Sequence, residues 1–206
     1  MNAKGLYLIM TNPVIGYQKL TEIAVNCKIS IIQLRIKDHE VNKINLATDL
    51  RNITNGTNTK FIVNDDINLA MESDADGIHL GQNDLSITKA KDLWKNKNKI
   101  FGISTHNQHQ AMQAEKNGAD YIGIGPIFST LSKKKLDPLL GIEKASYINN
   151  SCNCPSFIIG GISLNNIKQV KNIGSRGFCV LNSINISKNP EKIIKLLQEE
   201  WESIDF

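Results

Sequence analysis

Eight short apolar runs, each followed by a polar turn and a helix-like stretch, limit what this chain can fold into more than any other feature. They lie at 6–10, 29–34, 61–63, 77–80, 100–103, 121–124, 157–159 and 178–181. None alternates between polar and apolar residues as a half-exposed strand would. Near-continuous apolar runs are buried on both faces, the condition of strands in a parallel sheet covered by helices. Between them, 108–117 carries Ala111, Met112 and Ala114 on one side and stops at Gly118. The stretch 163–173 opens on Ser163, spaces Ile167, Val170 and Ile173 helically, and stops at Gly174. The last, 187–201, has Pro190 in its first turn. Eight strands alternating with about eight helices in 206 residues predict a compact (β/α)8 TIM barrel, a single domain over residues 1–206. An open doubly wound α/β sheet is the competing arrangement.

Composition narrows the function classes. Apolar residues make up 41% of the chain before its 14 glycines are counted, enough for a full core without a disulfide or metal staple. The 24 Lys and Arg against 20 Asp and Glu leave a net charge of +4. Apart from Lys133-Lys134-Lys135 and the Lys-rich 91–99, the cations are dispersed, which argues against nucleic acid and suits small anionic substrates. Cys27, Cys152, Cys154 and Cys179 form neither a secreted disulfide framework nor a zinc spacing, so they read as reduced thiols. The apolar run at 6–10 is too short for a leader or a membrane span. The expectation is a soluble cytoplasmic protein, with monomer and small homo-oligomer both open.

In such a barrel the working residues sit where strands end. The second run ends Gln33-Leu34-Arg35-Ile36-Lys37, and alternation points Gln33, Arg35 and Lys37 one way. Converging cations favour a phosphate or diphosphate, the bland alternative being a solvated rim salt bridge. The third run ends Asn64-Asp65-Asp66 and the fourth leads to Asp84, so Asp65 and Asp84 could meet across the mouth. Mg²⁺ takes one or two carboxylates plus water and phosphate oxygens, which such a pair would supply. Asp66 reads better as a helix cap, and Asp84 could also be one. After the fifth run come Ser104 and His106, with His109 three further on; both histidines read as helix-start or surface residues. The sixth run opens into Ser129-Thr130-Leu131-Ser132-Lys133, a lid over an anion or a plain surface loop. Gly160-Gly161 and Leu181-Asn182-Ser183 follow the last two runs, where backbone N–H groups of these barrels bind phosphate.

These segments, in this order, resemble the thiamine-phosphate synthase family. The carriers are QLRIK at 33–37, FIVNDD at 61–66, DGIHLGQND at 76–84, GISTH at 102–106, GADYIGIGPIF at 118–128, a Thr-x-Ser-Lys loop at 130–133 and IIGGIS at 158–163. The resemblance implies a transferase joining a pyrimidine diphosphate to a thiazole phosphate with release of diphosphate. Within the segment 33–37 that it marks as substrate-binding, it implies that Gln33, Arg35 and Lys37, with Asn64, hold the diphosphate, and that Asp65 and Asp84 anchor Mg²⁺ on it. Ser104 would sit by the pyrimidine and Lys133 would close onto the departing diphosphate. Thr130, Leu131 and Ser132, with backbone at Gly161, Leu181 and Asn182, would hold the thiazole phosphate. Arg35, Lys37, Ser104 and Lys133 would thereby be catalytic. The chain departs from the family pattern at Ser129, more often proline, at Ser132, usually threonine, and at Asn182, usually serine. A thiazole tautomerase-like isomerase of the same barrel, or a non-catalytic thiamine-phosphate-binding regulator, are the rival readings. Neither has a diphosphate to hold, so neither needs Asp65 with Asp84.

Overall fold

Strands form where the apolar runs lie, and each pairs in parallel with the next. They are β1 Gly5–Met10, β2 Ile31–Leu34, β3 Lys60–Asn64, β4 Gly77–Leu80, β5 Ile100–Thr105, β6 Tyr121–Ile124, β7 Ser156–Ile158 and β8 Gly177–Val180. β8 then returns to β1, with Leu6 opposite Phe178 and Leu8 opposite Val180, and the sheet closes. That pairing excludes the open sheet. The computed structural model describes residues 3–37, 41–129 and 138–203.

Closure splits every apolar run between two cores. On β1, Leu6, Leu8 and Met10 point outward into the shell between strands and helices, with Ile32, Leu34, Phe61 and Val63 from the neighbouring strands. Tyr7 and Ile9 point inward, where they meet Ile31, Ile62, Tyr121, Phe157 and Cys179. The period of two is present, but both faces are apolar, so the sequence reads as continuous. Three rings fill the base of the lumen edge to face: Tyr7 on Tyr121 at 5.8 Å, Tyr7 on Phe157 at 5.4 Å and Tyr121 on Phe157 at 5.7 Å.

The helices depart from the sequence reading in instructive ways. Gln108–Lys116 forms behind an Asn107 cap that accepts from the Gln110 N–H. Ala111 and Ala114 are buried as expected, but Met112 is 50% exposed and lies off the buried stripe. The helix expected to open at Ser163 is only Ile167–Lys171. Asn166 explains the loss: its side chain accepts from the Ser163 N–H and donates to the Gly161 carbonyl, closing a local turn in place of a first helical turn. The last helix is Pro190–Glu202, with Asn189 as cap and Pro190 at its start. No helix of the described residues is long and apolar enough to cross a membrane.

Two Ala-Asp pairs brace the amino-terminal end of the barrel, away from the strand ends that carry function. Asp76, just before β4, accepts from the Phe61 N–H of β3 at 2.9 Å and is approached by Arg51. Asp120, just before β6, accepts from the Phe101 N–H of β5 at 2.8 Å. Each carboxylate takes up a strand N–H that the neighbouring strand begins too late to meet. Losing such a charge-assisted bond costs about 1–3 kcal/mol. Asp120→Ala should lower the denaturation midpoint accordingly and leave the folded barrel unchanged, as checked by urea unfolding alongside the circular dichroism spectrum without denaturant.

Candidate active site

The carboxyl ends of the strands surround a cavity of about 550 Å³. Its wall is built strand by strand, and the alternation of β2 sets the first part. Gln33 faces the lumen and is only 1% exposed, while Arg35 lies one pleat higher on the cavity wall. The Arg35 N–H is tied to the Met10 carbonyl at 2.9 Å, which fixes the chain as it leaves the strand. Leu34 is buried in the outer shell and Ile36 packs against that shell, so their side chains face away from the cavity. Lys37 is exposed and does not line it. Of the three residues that alternation pointed one way, the structure brings Gln33 and Arg35 to the cavity.

β3 ends in a sharp reversal. Asp65 has φ +62°, a left-handed conformation that Asp and Asn tolerate better than other side chains. Its N–H donates to the His79 carbonyl at 2.8 Å, so the reversal is locked onto β4. Asp66 goes the other way and caps the helix Ile67–Glu72 through the Leu69 N–H. The two adjacent aspartates thus have separate roles. Asp84 is not a helix cap: the helix Ile87–Leu93 is capped by Ser86, and Asp84 turns back to accept from the Gly81 N–H at 2.7 Å. Both Asp65 and Asp84 reach the cavity wall. There the partial loss of water pushes the Asp65 carboxyl up to about 6, helped by a hydrogen bond to Asp84 and the negative charge of that group. The Arg35 guanidinium acts against this rise, and its own pKa is lowered, chiefly by burial.

β5 contributes Ser104 and, just beyond the strand, His106. Ser104 Oγ lies 3.0 Å from His79 Nε2, and its carbonyl accepts from Gln82. His106 stands before the Asn107 cap, as a helix-start residue, yet also lines the cavity. Its Nδ1 lies 2.6 Å from the Gly125 carbonyl, which can only accept, so Nδ1 carries a proton. His109 is exposed, and the two histidines do not converge. Among the described residues there is no group of three or more His, Cys, Asp or Glu able to hold a metal.

The far wall comes from β6, β7 and β8. Gly160 and Gly161 have φ +109° and +64°, and a Cβ at either would stand 2.6 Å from Pro126 Cα or 2.5 Å from the Ser129 carbonyl oxygen. Only glycine lets these segments meet, and the contact is sealed by Phe128 N–H donating to the Gly160 carbonyl. Leu181, Asn182 and Ser183 complete this wall. Thr130, Leu131, Ser132 and Lys133 lie outside the described residues. Two polar atoms of residues lining the cavity, Arg35 Nη1 and Ser183 Oγ, are buried with no protein partner. Such groups are costly unless a ligand meets them. Sequence reasoning passed over Ser183 as a side chain, and it gave no role to His79, Tyr7 or Tyr121. The signals available were a histidine inside an apolar strand and the strand glycine Gly102, which marks a close approach.

The raised carboxyl of Asp65 makes a pH-dependent cost. In the unfolded chain it titrates near 3.8, in the folded chain near 6. Stability from this group is therefore fully present below about pH 4 and is lost as pH rises through 6. Asp65→Asn, which keeps the backbone tolerance, should raise the thermal midpoint of the metal-free protein at about pH 7.5 and leave it unchanged near pH 4. A lower midpoint at the higher pH would show that the carboxylate is already neutralised by a partner.

Known proteins share both the sequence and the shape. A sequence profile described as thiamine monophosphate synthase matches residues 6–184. A thiamine-phosphate synthase of Clostridium botulinum (strain Loch Maree) is 40% identical over 184 residues, covering 87% of this chain and 89% of its own. One from Halalkalibacterium halodurans is 39% identical over 168 residues, 81% of this chain and 79% of the relative. The solved thiamine phosphate pyrophosphorylase of Pyrococcus furiosus superposes with a TM-score of 0.87 at 30% identity, over 98% of this chain and 97% of that one. These similarities lend no support to the isomerase or regulator readings. With the match running from the first strand of the barrel to the last, the chain belongs to the thiamine monophosphate synthase family.

Proposed function

We propose that the chain makes thiamine phosphate by joining a hydroxymethylpyrimidine diphosphate to a thiazole phosphate, with release of diphosphate. The observation that carries this reading is the opposition, on one wall of the cavity, of the Asp65–Asp84 pair and the unpartnered Arg35 nitrogen. Two carboxylates and a guanidinium in one place suit a cation and a polyphosphate together. Hard oxygen donors, only two of them, suit Mg²⁺, which keeps its remaining positions for water and phosphate oxygens. Loss of water, with the neighbouring Asp84 adding to it, lifts Asp65 to about 6, and a divalent cation would relieve that cost. Asp65 and Asp84 would hold Mg²⁺, and when bound it neutralises charge on the leaving diphosphate.

The protein's own residues then have three tasks. Arg35 binds the diphosphate, together with Asn64, and Lys133 would add further positive charge as the group departs. Gln33, expected on the diphosphate, lies one pleat deeper than Arg35 in the lumen, so here it is given with Ser104 the task of orienting the pyrimidine ring. The glycine-lined wall at Gly161, with Leu181, Asn182 and the Ser183 hydroxyl, receives the thiazole phosphate, and Thr130, Leu131 and Ser132, which lie outside the described residues, would bind the same phosphate. The bond between the pyrimidine methylene and diphosphate oxygen breaks with its electron pair leaving on oxygen. The thiazole nitrogen lone pair then forms the new carbon–nitrogen bond. Catalysis here is placement and charge stabilisation, with no protein nucleophile required. Both substrates are small molecules, and a cytoplasmic site of action belongs to the same reading.

Diphosphate release should require both substrates and Mg²⁺, stop in a chelator and resume when Mg²⁺ is restored. Asp84→Asn should lower kcat by on the order of 100-fold without unfolding the barrel. Turnover that continues unchanged in the chelator would remove the metal from the reading, and release from the pyrimidine diphosphate alone would remove the coupling.

A further inference from the structure

A chain of hydrogen bonds crosses the floor of the cavity through the barrel interior. Gln33 Nε2 donates to the Tyr7 hydroxyl at 2.5 Å. The Tyr7 and Tyr121 hydroxyls are 2.8 Å apart, Tyr121 lies 3.0 Å from His79 Nδ1, and His79 Nε2 lies 3.0 Å from Ser104 Oγ. Both ends, Gln33 and Ser104, line the cavity, whereas the two tyrosines are fully buried beneath it.

We infer that Tyr7 and Tyr121 are positioning residues that fix the proton direction of this chain, so that Gln33 presents an acceptor and Ser104 a donor to the ring of the substrate. Each phenol has one proton to give. Burial raises both phenol pKa values far above the ordinary range, so neither loses that proton at working pH. Tyr7 already accepts from Gln33, so its proton points to Tyr121. The Tyr121 proton then points to His79 Nδ1, which must be the bare nitrogen. His79 Nε2 carries the ring proton and donates to Ser104 Oγ, leaving the serine proton for the cavity. At the other end the Gln33 amide nitrogen is engaged, and its Oε1 is the group left to accept. Reversing one bond reverses all four, so the two ends are set together.

The packing supports a fixed chain. Tyr121 lies across Gly102, where a Cβ would stand 2.1 Å from the Tyr121 Cζ. The imidazole of His79 lies against the same ring, tilted by 31° with centroids 5.5 Å apart. A buried polar network of this kind, with each interior member satisfied, orders the groups that it ends in.

The inference deepens the proposed function and rests on it for the ligand: an acceptor at one end of the chain and a donor at the other select an amino-substituted pyrimidine with an unprotonated ring nitrogen. Its test has an independent readout. Nitrogen-15 spectra of the ligand-free protein should show His79 in a single neutral form protonated at Nε2. Tyr121→Phe keeps the ring and removes the hydroxyl, and Tyr7→Phe does so one link further away, without touching His79. Both should turn the His79 signal into a tautomer mixture, with the larger change in Tyr121→Phe. In the coupled assay, Tyr121→Phe should raise the pyrimidine KM and lower kcat by about tenfold, leaving the thiazole phosphate KM unchanged. Wild-type protein should prefer a 4-aminopyrimidine to its 4-oxo analogue as a competing ligand by about tenfold, and the preference should shrink in both variants. His79 protonated at Nδ1 in the wild type, or an unchanged tautomer in both folded variants, would overturn the inference. If the tautomer behaves as stated while the wild type makes no product, the inference about the chain survives and the proposed function fails.

Discussion

Closure of the sheet is the constraint on which the rest depends. Once β8 pairs with β1, every second side chain of eight strands must share one narrow lumen. Apolar residues fill its base, with Tyr7, Tyr121 and Phe157 packed edge to face. Above them, toward the carboxyl ends of the strands, polar residues take over: Gln33, His79 and Ser104, then Arg35 and Asp65. The order in depth follows from the order along each strand. A deep tyrosine pair and a shallow carboxylate pair are therefore consequences of the same alternation, read at two heights.

The mouth of the barrel divides its charge. Acid and base from β2, β3 and the segment after β4 stand together on one side, and backbone-rich glycine segments from β6, β7 and β8 stand on the other. The acidic side suits a cation with a polyphosphate. The glycine side offers close backbone approach and suits a single phosphate. Stability, by contrast, is reinforced at the opposite end by Asp76 and Asp120, so the residues that brace the barrel are not those asked to handle substrate.

The fold was legible in the sequence because its strongest signal, the continuous apolar run, arises directly from burial on two faces. The strand ends were legible too, since the fold class says where polar residues become functional. Which of two neighbouring residues turns inward was read well where strict alternation holds, as for Gln33 and Arg35, and poorly beyond the strand, as for Lys37. Asp66 was recognisable as a cap because the apolar pattern begins just after it. Asp84 was ambiguous because Ser86, two residues on, serves that purpose equally well, and only the Gly81 turn decides between them. Met112 and the shortened helix after Ser163 were missed for local reasons, a helix face one residue out of register and an Asn side chain that competes with the backbone. His79 and the tyrosines were missed because a polar tip on a mostly apolar side chain looks like core until its neighbours are known.

The left-handed backbone at Asp65 has an effect on which sequences this site can pass through. By charge alone, glutamate is the nearest relative of aspartate. At φ +62° the longer side chain loses the local accommodation that makes Asp and Asn tolerable there, and the strain of a left-handed residue returns. The accessible neighbours are therefore asparagine, which gives up the charge, and glycine, which gives up the side chain. Each keeps the turn and removes the carboxylate. Drift at this position is all or nothing: the main chain has narrowed the alphabet before the chemistry makes its choice.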